Sequence, residues 1–173
     1  MNNTTTVARP QPGDYAPYFF KYIDLVNESD IMKVLESQLE EMEDFYKKVK
    51  DWDYSYAPGK WTVKECLIHL IDTERVFYYR AMCIARGEKG SLPSFDQDEY
   101  MSNDFSHVSP AAVLDDFIAQ RKSSIALFRN FDHTMWNRAT EVSGNQTKAL
   151  SFPYMIAGHQ HHHMTLYKER YKI

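Results

Sequence analysis

Residues 62–87 constrain the fold more than any other stretch. Thr62-Val63-Lys64-Glu65 fits the S/T-x-x-E capping box. In that motif the Thr62 hydroxyl accepts from the third helical amide, and Glu65 reaches back to the Thr62 N–H. Gly87 follows Arg86 and suits the left-handed residue that closes a helix. No Pro or Gly interrupts the sequence between these signals. The spacing predicts a helix over 62–86, and a helix that long must bury its apolar stripe against other helices.

The rest of the chain supplies such partners. Ser29 or Asp30 can cap a helix running to about Asp51, with Ile31, Leu35, Gln38, Leu39, Met42, Phe45, Tyr46 and Val49 as its buried stripe. The face carrying Glu36, Glu40, Glu41, Glu43 and Lys47 reads as solvated. Ser109-Pro110 is an N-cap followed by a first-turn proline, opening a helix to about 131. Arg121 sits inside its apolar pattern, which calls for a buried carboxylate partner. A last helix over 151–170 is predicted with Ser151 as N-cap and Pro153 in the first turn. Gly144-Asn145-Gln146 reads as a break before it. Four amphipathic helices make an all-α, antiparallel four-helix bundle the simplest architecture. Residues 1–17 read as a flexible, extended N-terminal arm, and 18–173 as a single domain. The aromatic cluster Tyr15, Tyr18, Phe19, Phe20 and Tyr22 is expected to dock on the helices, with lining a pocket mouth as the alternative.

Net charge is −4, with acids and bases mixed and no basic stripe to hold nucleic acid. No apolar run reaches the roughly 20 residues of a membrane span. The polar start, Met1 to Asp14, lacks a signal-peptide core, so a cytoplasmic protein is expected. Cys66 and Cys83 lie in one predicted helix, roughly 25 Å apart at 1.5 Å per residue, and cannot pair with each other. Free thiols fit a reducing compartment.

Chemistry concentrates in Gly158-His159-Gln160-His161-His162-His163, which holds four of the seven histidines. On a helix, His159 and His163 are an i, i+4 pair stacked on one face, a spacing that lets two imidazoles share a metal ion. His162 could substitute, and His161 should point elsewhere. On the second helix, Glu65, His69 and Asp72 fall along one face. His69 can be a ligand or a hydrogen-bonded core histidine. Glu65 and Asp72 are candidates for a catalytic base or for orienting an imidazole. Equally, Glu65 can be only a cap and Asp72 only an ion-pair partner of Arg75. The long connection 87–108 adds Asp96, Asp98 and His107 as further candidates.

The segment Tyr56-Ala57-Pro58-Gly59-Lys60-Trp61-Thr62-Val63-Lys64-Glu65, then His69-Leu70-Ile71-Asp72-Thr73-Glu74-Arg75, then Ala157-Gly158-His159-Gln160-His161-His162-His163 and Glu169-Arg170-Tyr171, resembles the DinB-like, or YfiT-like, metal-binding four-helix bundles. So does Tyr15-Ala16-Pro17-Tyr18 near the start. The resemblance covers most of the chain. It implies a three-histidine site made of His69, His159 and His163, holding a divalent metal ion, zinc or nickel. Three protein nitrogens would leave coordination positions open, as in catalytic sites.

Relatives in that family include bacillithiol transferases and mycothiol-dependent maleylpyruvate isomerases, and others assigned as metal-dependent hydrolases. The resemblance therefore implies transfer of a low-molecular-weight thiol to an electrophilic small molecule. Metal-dependent hydrolysis and a non-catalytic, stress-associated metal-binding role are the alternatives. A hydrolase needs a base beside its water, whereas a transferase needs a groove for the thiol, which the 88–108 loop and the aromatic arm could form. A small-molecule substrate, no nucleic-acid or membrane partner, and a homodimer complete the expectations.

Overall fold

The computed structural model describes residues 7–173; the first six residues of the expected arm, 1–6, lie outside the described residues. Four long helices form a bundle: α1 (Ile31–Tyr46), α2 (Val63–Arg86), α3 (Pro110–Arg129) and α4 (Ser151–Leu166). The all-α architecture expected from the sequence is the one observed. Both α1 and α2 pack on α3 and on α4. The consecutive helices α1 and α2 therefore stand at opposite corners, as do α3 and α4. The corner-to-corner steps use the long connections 47–62 and 130–150. No helix among the described residues is long and apolar enough to cross a membrane.

The predicted start of α2 is present in full. Thr62 Oγ1 accepts from the Glu65 N–H at 3.1 Å, and the Thr62 N–H donates to Glu65 Oε2 at 2.7 Å. Gly87 closes the helix at φ 91°. Thr62→Ala is expected to lower stability by about 1 kcal/mol. Thermal unfolding checks it, and an unchanged midpoint would contradict a stabilising cap.

Three local expectations are corrected. The first helix stops at Tyr46 rather than near Asp51, and the chain leaves through tight turns, Lys48 N–H to Phe45 O and Val49 N–H to Tyr46 O. Ser151 is not an N-cap. It is the first helical residue, and its hydroxyl donates instead to Asp14 O at 2.9 Å. The break at 144–146 belongs to a hairpin, β1 (Ala139–Val142) with antiparallel β2 (Asn145–Lys148). Ser143 and Gly144, both at positive φ, make its turn. Leu92, from the 87–108 connection, adds a bridge to Val142 and ties that connection to the hairpin.

The apolar core is divided in two by a polar layer at mid-height. One part holds residues such as Ile31, Leu35, Phe77, Ile125 and Phe128, the other Met42, Tyr46, Leu67, Phe117 and Tyr167. Between them lie buried Gln38, Glu74, Arg121 and Gln160, one from each long helix. Arg121 has the carboxylate partner its sequence position calls for, Glu74.

The N-terminal segment packs on this bundle. Val7 and Tyr15 are buried, and Arg9 donates to Ile23 O at 2.9 Å and to Val26 O. A helical turn, Pro17–Phe19 running into Phe20–Ile23, then lies across α4. The crossing occurs at Gly158. A Cβ built there would stand 2.0 Å from Tyr22 O, so only glycine admits the contact.

Candidate metal centre

The capping box sets where α2 begins, and His69 lies two turns in. The i, i+4 pair on α4 faces it. His69, His159 and His163 are all buried, with one ring nitrogen from each lying within 4.8 Å of the others. His69 Nε2 and His159 Nε2 are 3.1 Å apart. Ring centroids are separated by 5.0 Å (His69–His159), 5.1 Å (His69–His163) and 4.7 Å (His159–His163). Nitrogens bound tetrahedrally to one zinc at about 2.0–2.1 Å stand about 3.3 Å apart, so the three need only draw in slightly.

Electrostatics favour the ligating form. Burial pushes His69 down to about 4, helped by the charge of His162, and pushes His163 down to about 3, helped by His69 and His162. His159 lies well below the ordinary value, again through burial first and its neighbouring imidazoles second. Near pH 7 the three are neutral lone-pair donors aimed at one point, which is what a divalent cation requires.

The same shifts predict an acid sensitivity in the metal-free protein. Each folded-state pKa lies below the ordinary 6.5, so the unfolded chain binds more protons as pH falls. The stability contributed by keeping these rings neutral is complete above 6.5 and is lost as pH falls toward about 4 for His69 and about 3 for His163. The steepest slope is about 1.4 kcal/mol per pH unit for each ring. Unfolding of metal-free protein across that window, against His69→Gln, measures it. Equal pH slopes for the two proteins would contradict the effect.

The imidazoles are held by aromatic rings. Trp61, from the segment before the cap, lies 4.8 Å from His69 between ring centroids, and Tyr22 lies 5.2 Å from His159 and 5.5 Å from His162. Trp61 is fixed in turn by the end of the chain: Tyr171 OH donates to Trp61 O at 2.6 Å. Sequence reasoning gave Trp61 no role at the site, whereas Tyr22 belongs to the aromatic cluster expected to dock on the helices or line a pocket mouth, and it lines both hollows here. The one signal for Trp61 was its place in the 56–65 segment that carries the family resemblance.

The carboxylates expected beside the site are elsewhere. Glu65 is occupied by its cap. Asp72 pairs with Arg75 at 3.4 Å and lines a separate hollow with Phe105, Val108 and Asp116. Burial raises its pKa, and Arg75 offsets part of that rise. Neither Glu65 nor Asp72 lines the histidine cavity, and among the described residues no carboxylate hydrogen-bonds the three imidazoles. Sharing a helix face with His69 did not bring them to its ring. Of the loop candidates, Asp98 does line the cavity, Asp96 caps the one-turn helix Gln97–Tyr100, and exposed His107 is absent from the lining. His162 is half-buried at the cavity, and His161 does not line it. Both cysteines are free; Cys66 is 3.1 Å from Tyr171 OH, and burial pushes its thiol up to about 11.

Two hollows meet here. One, of about 340 Å³, opens over the three histidines and is lined also by Lys60, Trp61 and Asp98. The other, of about 520 Å³, lies between the N-terminal aromatic turn, α2, the 94–97 loop and the hairpin. Tyr22, Gln97 and His159 line both.

A sequence profile of the DinB superfamily matches residues 33–166. Among solved structures the chain is similar to YfiT from Bacillus subtilis, a probable metal-dependent hydrolase with an unusual four-helix bundle topology. The two are 17% identical, with a TM-score of 0.68 over 95% of this chain and 92% of that one. No curated protein matches.

Proposed function

Because this chain belongs to the DinB superfamily, we propose that it is an enzyme whose His69, His159 and His163 hold a divalent ion, zinc or nickel, and that it transfers a low-molecular-weight thiol to an electrophilic small molecule. The ion's contribution would be Lewis acidity, lowering the pKa of a thiol or water toward neutrality. The observation that carries the transfer reading is the pair of hollows meeting at His159, which gives two reactants separate seats beside one site. The open cavity, with Lys60 and Asp98 in its lining, suits the polar thiol, and the more apolar hollow suits the electrophile. His162, held below its ordinary pKa by burial and then by Lys21, is neutral near pH 7 and can accept a proton there.

Hydrolysis is the second reading, supported by the likeness to YfiT and by His162 and Asp98 as bases in the cavity lining. Metal-loaded protein incubated with an activated aryl chloride, with and without a panel of small thiols, separates the readings. Transfer forms a C–S bond, breaks the C–Cl and S–H bonds and releases chloride and a proton, so the product has the summed mass of aryl chloride and thiol less HCl. Metal-dependent cleavage of activated esters without thiol, and no thioether, would favour hydrolysis. Neither product would favour a binding protein.

A further inference from the structure

The second hollow has a chemistry of its own. Most of its wall is apolar: Phe19, Phe77, Phe152 and Met155 line it. Its volume of about 520 Å³ is that of a small-molecule site. Ser94, Asp96, Gln97, Ser143, Asn145, Thr147 and His159 add polar groups to the wall, and two more of its polar side chains, Thr73 and Arg80, are each only 5% exposed. Arg80 has no carboxylate partner among the described residues, unlike buried Arg121, which pairs with Glu74. Its guanidinium donates to Pro93 O and lies 5.6 Å from the centre of the Phe95 ring. That leaves most of its five N–H groups uncommitted. Thr73 Oγ1 is the one buried side-chain polar atom, among the described residues, without a hydrogen-bond partner. It stands two turns before Arg80 on α2, and both line the same hollow.

A buried cation without a counter-charge is costly, and so is a buried hydroxyl without a partner. We propose that this hollow binds a small apolar, aromatic-sized molecule carrying a carboxylate, its anion held by Arg80 and Thr73 and its apolar body among the phenyl rings, in reach of the histidine site through His159. The inference rests on the preceding functional reading only in making this molecule a reactant; the binding itself needs no metal. The guanidinium supplies a planar fork matched to a carboxylate, and the hydroxyl donates a further hydrogen bond.

The test titrates folded, metal-loaded protein with 3-phenylpropanoate, with its neutral analogue 3-phenylpropanamide, and with acetate, following intrinsic fluorescence and calorimetry. The acid is expected to bind at least tenfold more tightly than the amide and than acetate. Arg80→Gln should abolish the preference for the acid while leaving the amide unchanged, Arg80→Lys should keep part of it, and Thr73→Val should weaken the acid severalfold. The preference should persist in His163→Ala protein, whose metal content is measured separately. That arm distinguishes failure here from failure of the metal reading. Equal affinity for acid and amide, no saturable binding of either, acetate binding as tightly as the acid, or an acid preference that survives Arg80→Gln but vanishes in His163→Ala would each overturn the proposal.

Discussion

Arg121→Met is expected to cost about 3–5 kcal/mol of folding stability, a large share of the roughly 5–15 kcal/mol that holds a domain together. Arg121 Nε lies 2.9 and 3.1 Å from the two Glu74 oxygens, and Nη2 reaches Glu74 Oε2 at 2.9 Å and Gln160 Oε1 at 2.6 Å. Gln160 Nε2 donates to Gln38 O at 3.1 Å, and Gln38 Nε2 to Ala157 O at 3.0 Å. One connected network thus ties all four helices together in the layer beside His159. Removing the guanidinium strands a carboxylate that is 4% exposed. The cost comes from that uncompensated charge and not from the net worth of the pair. Glu74→Leu combined with Arg121→Met should therefore recover much of the loss, a coupling that a double-mutant cycle in denaturant resolves. A single variant as stable as the parent, or a double variant no better than the single, would contradict this account.

Gly158→Ala is expected to destabilise by about 1–3 kcal/mol, the cost of overpacking a filled site. Helix propensity alone predicts the opposite sign, since alanine is about 1 kcal/mol better than glycine inside a helix. The added methyl would meet Tyr22 O at 2.0 Å and Tyr22 C at 2.4 Å, so backbone must separate from backbone. The displaced segment carries Tyr22, which packs on His159 and His162. Faster proteolysis ahead of residue 24 and weaker metal retention should accompany the lower midpoint. A stabilised variant with an unchanged cleavage pattern would contradict the close crossing.

Local signals carried the long helices. The capping box at Thr62 and Glu65 and the Gly87 stop are sequence-near interactions, and both ends formed where they were read. The histidine trio was legible because i, i+4 spacing puts His159 and His163 on one face, and the family pattern supplied His69 from another helix. What failed required knowing partners far along the chain. Ser151 resembles a cap, but Asp14 O is within reach, and the backbone enters α4 from the hairpin already in helical geometry. Glu65 and Asp72 share a face with His69, yet face-sharing does not decide which neighbour a carboxylate meets. The hairpin was missed although Ser143-Gly144 between Thr140, Val142 and Thr147 offers a turn flanked by alternating burial. The roles of Trp61, Tyr22, Thr73 and Arg80 depend on long-range packing, which no spacing rule encodes.

The central claim is that the three buried imidazoles form one metal site. Equilibrium dialysis of the folded protein against zinc or nickel, with the bound metal counted by mass spectrometry, tests it most directly. The account predicts about one ion per chain in the parent and in His161→Ala, a mild weakening in His162→Ala, and loss of the ion in His69→Ala, His159→Ala and His163→Ala proteins that remain folded by circular dichroism. A parent that retains neither metal, or a His163→Ala protein that keeps its ion while His161→Ala loses it, would contradict the assignment.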